Sequence, residues 1–201
     1  FERIVFPERM KKMFHKLLIV SCLLVSTGAF AQLTESFTEK DRDYKIAWEL
    51  YVKEKYSAAK NVFESYLAEN KGSEHNKINA EFYAAVCSYE LFNPDAEQKL
   101  LNFTEKHSES TKAPLAWFYL GRQYYRIKKY TKALPAFEKA DVYYLTGDEV
   151  PEYYFKTGYC YFNKGELDKA AKKFHEILNV KSKYQTAAQY YYGHIAYSNN
   201  N

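Results

Sequence analysis

A single alanine recurs at a fixed interval through most of this chain, and that interval limits the fold more than any other property of the sequence. Ala59, Ala96, Ala133 and Ala170 are each 37 residues apart. Four positions after them stand Phe63, Leu100, Phe137 and Phe174. Twelve positions before them stand Ala47, Ala84, Gly121 and Gly158, all small, and three before them Tyr56, Asn93, Tyr130 and Leu167. A unit of this length cannot bury an apolar face alone and must stack on its neighbours, so the period implies an array.

The stretch Pro114 to Ala140, PLAWFYLGRQYYRIKKYTKALPAFEKA, reads as two short amphipathic helices with a tight turn near Lys128-Lys129-Tyr130. Small residues at Gly121 and Ala133 let the two helices approach closely, and Phe137 fills the space beside that contact. Composition agrees. The chain is 47% hydrophobic, with 21 Tyr and 14 Phe but only 7 Gly and 5 Pro. That is too apolar for disorder and too poor in turn residues for a many-stranded sheet protein. Ser57, Thr131 and Asp168 share a column and are expected N-caps, with Asn93-Pro94-Asp95 taking that role in the second unit. Pro114 and Pro151 are expected to open helix pairs, and Ser36-Phe37-Thr38-Glu39 is a capping box at the start of the array.

These residues resemble the tetratricopeptide repeat family. Its pattern of Trp, Leu-Gly, Tyr, Ala, Phe and Ala is met by Trp117, Leu120-Gly121, Tyr124, Ala133, Phe137 and Ala140, and again in part by Tyr154, Gly158, Tyr161, Ala170 and Phe174. The period is 37 rather than the usual value of about 34, which places longer turns between pairs. Sel1-like repeats are the nearby alternative, but their paired alanines and glycine-rich turn are missing. The fold expected is all-α, an α-solenoid of antiparallel helix pairs. Its repeats are placed at about 40–76, 77–113, 114–150 and 151–185, with a truncated fifth from 186. Gly193 stands in the glycine column of that fifth unit, and the array is expected to continue in a longer chain.

The N-terminus has a different character. From Met10 the chain reads MKKMFHKLLIVSCLLVSTGAFAQ. Lys11, Lys12 and Lys16 precede an apolar run from Leu17 to Val25, and Ala29-Phe30-Ala31 supplies small residues before Gln32. That is the pattern of a secretory signal peptide cleaved before Gln32, starting at Met10 or Met13. The apolar run falls short of the roughly 20 residues of a spanning helix. Ile19-Val20-Ser21-Cys22 loosely resembles a lipoprotein box, though lipidation at Cys22 would leave a very short apolar segment. Residues 1–9 add Glu2 and Glu8 and read as upstream sequence. The expected location is exported, periplasmic or outer-membrane-associated, with peripheral attachment to that membrane.

The formal charge is +4. Most of it lies in residues 1–31, where Arg3, Arg9, Lys11, Lys12 and Lys16 outnumber Glu2 and Glu8. The near-neutral remainder lacks the footprint of a nucleic-acid binder. Cys87 and Cys160 lie two repeats apart and are expected as free thiols. His75, His107, His175 and His194 show no zinc-motif spacing, and no phosphate loop, GxSxG or HExxH sequence occurs. Neither a cofactor, a metal, a small-molecule substrate nor a catalytic residue is expected.

The resemblance implies that the first helix of each pair lines a concave surface through its second, fifth, ninth, twelfth and thirteenth positions. Those columns hold Trp48, Tyr51, Phe82, Tyr89, Phe118, Tyr125, Phe155, Tyr159, Phe162, Tyr190 and Tyr197, together with Arg122 and Arg126. Tyr and Arg are the residues that most often anchor interfaces. The candidate partner-binding set is Phe118, Arg122, Tyr125, Arg126, Phe155, Tyr159, Phe162 and Tyr190. The family's two-carboxylate clamp is not reproduced. The function expected is a non-catalytic scaffold in the cell envelope that holds a peptide segment or partner protein. The alternatives are an accessory module of a larger envelope enzyme or assembly with its functional domain past residue 201, and a purely structural array.

Overall fold

A computed structural model describes residues 41–199. The expected signal segment, the lipoprotein-like Cys22 and the Ser36–Glu39 capping box lie outside them. Among the described residues nine α-helices follow one another: α1 Arg42–Val52, α2 Tyr56–Glu69, α3 Glu74–Glu90, α4 Ala96–Lys106, α5 Ala113–Arg126, α6 Tyr130–Lys139, α7 Glu149–Lys164, α8 Leu167–His175 and α9 Gln185–Asn199. One 3₁₀ turn, Val142–Tyr144, stands between α6 and α7. The chain is all-α, with stacked antiparallel helix pairs: α1/α2, α3/α4, α5/α6 and α7/α8, then α9. The first helices also touch directly, α1 with α3, α3 with α5, and α5 with α7.

The repeated columns form the core. Ala59, Ala96, Ala133 and Ala170 are all fully buried, as are Phe63, Leu100, Phe137 and Phe174. The glycines give the reason for this packing. A Cβ at Gly121 would lie 2.5 Å from the Phe137 ring, and one at Gly158 would lie 2.9 Å from Phe174. Helix pairs close this tightly only because these positions carry no side chain.

The turns inside the pairs share one construction. Glu54, Phe92, Lys128 and Gly165 all take the left-handed conformation, with φ of 57°, 58°, 59° and 80°. At each, two backbone N–H groups reach back into the first helix: Lys128 to the Tyr125 carbonyl at 2.9 Å and Lys129 to the Tyr124 carbonyl at 2.9 Å, with equivalent bonds at the other three. This is the Schellman arrangement, which satisfies carbonyls that a helix end would otherwise leave unpaired.

Two local expectations are corrected. Ser57, Thr131 and Asp168 are not N-caps. The helices begin one residue earlier, at Tyr56, Tyr130 and Leu167, and the capping positions Lys55, Lys129 and Glu166 make no side-chain capping bond. The Schellman turn delivers the chain directly into the second helix and leaves those polar residues inside its first turn. The second correction concerns register. Seven residues separate Ala47, Gly121 and Gly158 from their left-handed residues, and counting back seven from Phe92 reaches Ala85, not Ala84. The turn after α3 is one residue shorter, so the alanine column keeps its spacing while the first helix shifts. Buried Cys87, Gln123, Cys160 and Ile195 then fall in one column, two positions after Ala85, Gly121, Gly158 and Gly193.

Candidate interaction face

The first helices bring a line of charges together. The Arg122 Nε of α5 donates to Glu152 Oε1 of α7 at 2.8 Å, and Lys156 Nζ donates to the same oxygen at 2.5 Å. Arg122 Nη1 lies 3.6 Å from Glu90 at the end of α3. Acid and base therefore alternate across three successive repeats, as Glu90, Arg122, Glu152 and Lys156. Glu152 is buried and Arg122 nearly so, with side chains 6% and 17% exposed. Burial alone would raise the Glu152 carboxyl, but the Arg122 and Lys156 charges outweigh it and hold the carboxyl below its ordinary value. Glu90 goes the other way. Its burial prevails over the more distant Arg122 and Arg126 and raises it. Burial also lowers Lys156 despite the attraction of Glu152.

Aromatic rings enclose these charges. The Arg122 guanidinium lies 4.9 Å from both the Tyr89 and the Tyr119 ring centres. Arg126 lies between Tyr89 at 4.0 Å and Phe92 at 4.3 Å. Its Nη1 donates to the Tyr89 carbonyl at 2.8 Å, and its Nη2 donates to Gln123 Oε1. Contacts of this kind strengthen as the cation loses water. Further along, Tyr125 packs edge-on to Tyr159 at 5.7 Å, Tyr159 to Tyr191 at 5.4 Å and Phe162 to Tyr191 at 5.1 Å. Tyr125, Tyr159 and Phe162 keep part of their surface exposed.

The predicted contact residues therefore separate into three groups. Tyr125, Tyr159, Phe162 and Arg126 share one half-exposed face. Arg122 lies on that face but is committed to Glu152, so it does not offer a free positive charge. Phe118, Phe155 and Tyr190 belong to another column, which points towards the second helix of each pair. Phe118 is fully buried, 6.2 Å from Phe137 and 6.5 Å from Tyr153, and Phe155 packs on Phe174 at 5.8 Å. Phe118 has no surface to give a partner, and the same holds for Phe82 and almost wholly for Tyr89.

Sequence reasoning did not identify Glu90 and Glu152 as partners of Arg122, nor Lys156 as the second cation on Glu152, nor Phe92, which is 75% exposed. A bulky residue with positive φ is uncommon, and no local sequence feature announces that conformation at Phe92. An open depression of about 490 Å³ is lined by residues including Lys128, Lys129, Tyr130, Pro135, Cys160 and Lys164, and Tyr130 packs on Tyr125 and Tyr159 at 5.4 Å each. Among the described residues no group of His, Cys, Asp and Glu could hold a metal, and no helix is long and apolar enough to cross a membrane. Cys87 and Cys160 are buried free thiols, each pushed up to about 12 by burial.

Comparison with known proteins agrees with this architecture. Residues 114–140 match one tetratricopeptide repeat model and residues 152–180 match another. Among solved structures, the chain superposes on MamA protein with a TM-score of 0.59 at 19% identity, covering 83% of this chain and 84% of that one. A MamA RS-1 ArsTM double mutant gives 0.60 at 15% identity, covering 82% and 88%. A putative kinesin light chain of Podosopora anserina, with nearly identical TPR-like repeats, gives 0.54 at 12% identity, covering 81% and 88%. No curated protein gives a significant sequence match. The molecule is a helical array of TPR-like repeats. Repeats of this kind typically mediate protein–protein interaction and are usually non-catalytic.

Proposed function

We propose that the chain is a non-catalytic scaffold that holds an extended segment of a partner protein along its first helices. The observation that carries this reading is the half-exposed row of Tyr125, Tyr159 and Phe162, with Arg126 beside it, on helices that touch one another across repeats. Large, stiff rings lose little conformational entropy on binding and so act as anchors. The charges behind them pair internally, so their role is to fix the spacing of α3, α5 and α7 rather than to meet an acidic ligand. A partner segment that docks through apolar and hydrogen-bonding groups suits this face better than a strongly charged one, which would lose water without gaining an unpaired counter-charge. The location we propose is the cell envelope, periplasmic or at the outer membrane, and its support is the Met10–Ala31 sequence pattern.

The test is site-specific photo-crosslinking from the native envelope. A crosslinker at Tyr159 should capture a defined protein that one at exposed Lys139, on a second helix, does not, and Tyr125→Ala should reduce that capture at least fivefold. Equal capture from both positions, or none from Tyr159, would remove the face from consideration. A reporter fused after residue 40 and active only after export checks the location separately.

A further inference from the structure

The left-handed turns inside the pairs form a surface of their own. Antiparallel pairs stacked in order bring every such turn to one edge of the array, and the turns between pairs to the opposite edge. Contacts tie the pair turns together along their edge. Arg126, at the end of α5, stacks on Phe92 of the preceding turn at 4.3 Å. Lys128 and Lys129 line the depression of about 490 Å³ together with Asn163 and Lys164 of the following turn.

The two edges differ in charge. Residues 52–55, 91–95, 126–129 and 163–166 hold six basic side chains, Lys53, Lys55, Arg126, Lys128, Lys129 and Lys164, against the acidic Glu54, Asp95 and Glu166. The turns between pairs, 70–73, 107–112, 140–148 and 176–184, hold four basic and four acidic side chains and balance. Apolar tips stand among these lysines, one in each of three successive pair turns. Val52 is 60% exposed, Phe92 75% and Ile127 41%. Phe92 takes a left-handed φ of 58° where the fourth turn uses Gly165, and a bulky side chain in that conformation stores strain. Burial does not offset it, because the ring stands outside the core against Arg126.

We propose that the edge of pair turns docks on an anionic lipid surface, with Phe92 and Ile127 entering the headgroup layer and Lys128, Lys129 and Lys164 meeting lipid phosphates. The excess of positive charge complements such a surface, and each basic side chain adds to the attraction. Apolar tips flanked by lysines suit the boundary between headgroups and acyl chains, where lysine stems lie along apolar material and their ammonium groups stay among phosphates. Lys129 lies 3.7 Å from Glu97 and Lys164 2.6 Å from Glu166, in exposed pairs that hold little energy and yield to phosphate. A protein partner fits the edge less well. Lysine is depleted from protein interfaces, and each projecting tip would need its own matching pocket, whereas lipid closes around any shape. This surface does not use the Tyr125, Tyr159 and Phe162 row, so it stands or falls separately from the scaffold reading.

The test is fluorescence quenching of the full chain by vesicles whose acyl chains carry bromine. The Met10–Ala31 segment has lysines and an apolar run of its own, so the readout must be local. Phe92→Trp reports on the pair-turn edge, and Tyr143→Trp, at a residue 92% exposed on the opposite edge, is its control. On phosphatidylglycerol vesicles the tryptophan added at 92 should be quenched at least threefold more than the one at 143. On phosphatidylcholine vesicles the two should match. Lys128→Glu with Lys129→Glu in the Phe92→Trp chain should remove the excess, as should high salt. Phe92→Gly relieves the left-handed strain, so it should leave helical circular dichroism unchanged. The slowing of hydrogen exchange that phosphatidylglycerol vesicles cause at residues 126–129 should nevertheless fall at least threefold in that variant. Equal quenching at 92 and 143 on phosphatidylglycerol, or an excess that the two charge reversals leave unaltered, would overturn the proposal. So would a photo-crosslinker at position 92 that captures an envelope protein in place of lipid, which would assign the edge to a protein partner.

Discussion

Helices α5 and α9 carry closely similar residues and come to rest in opposite environments. In α5, Phe118 and Gly121 are buried beneath Phe137, while in α9 the equivalent Tyr190 and Gly193 face outward. The difference arises neither from propensity nor from the first helix itself. It comes from the second helix, which supplies the ring that makes a glycine obligatory and a fifth-position aromatic part of the core. A residue type at a given column therefore has no fixed meaning in this array. Its partner helix decides whether it is packing or surface.

The largest effect separating the two regions should come from the rings. Phe137→Ala should cost about 3–5 kcal/mol through lost transfer energy and the cavity left between α5 and α7. Tyr190→Ala should change stability by no more than about 0.5 kcal/mol. Urea unfolding of the two variants measures both. A cost at Tyr190 comparable with that at Phe137 would mean that the outer face of α9 is covered.

Next comes the charged line across the first helices. Arg122→Ala removes one of two cations from buried Glu152 and should cost about 3 kcal/mol, as breaking a buried ion pair does. Thermal unfolding reads this directly, and a near-neutral result would return Arg122 to the pool of free contact residues.

A smaller pair of effects tests the same line through pH. The Glu152 carboxyl lies below its ordinary 4.5, so its ionised form stabilises the fold above that value and the contribution is lost as pH falls through the lowered value. The Glu90 carboxyl lies above its ordinary 4.5, so ionising it costs stability once pH has risen past the raised value. Glu152→Gln should therefore destabilise at pH 7 and Glu90→Gln should stabilise, with both differences shrinking in urea unfolding repeated below pH 4.5. Shifts of the same sign at pH 7 would break the assignment.

The sequence made the core more legible than the interaction face. Ala133 and Phe137 announced themselves because packing repeats with the period, and every member of those two columns is fully buried. Ala85 was missed because Ala84 is equally small, and only the backbone of the Phe92 turn separates the two. Ser57, Thr131 and Asp168 looked like caps because their side chains suit that role, but the Schellman turns had already set the helix starts. Arg122 read as a free anchor because Glu152 lies 30 residues away, in the next repeat. Phe118 and Tyr190 were grouped with Tyr125 because the resemblance placed the fifth and twelfth columns on one concave surface, whereas the helix rotation that separates their columns is expressed only once the second helix is in place.

The most direct test of this dependence on the partner helix uses the smallest change, Gly→Ala, at both ends of the comparison. Gly121→Ala places a Cβ 2.5 Å from the Phe137 ring and should lose about 1–2 kcal/mol in urea unfolding, as overpacking does. Gly193→Ala meets nothing within 4 Å among the described residues and should gain up to about 1 kcal/mol from helix propensity alone. Opposite signs would support the account. Two changes of the same sign and size would contradict it.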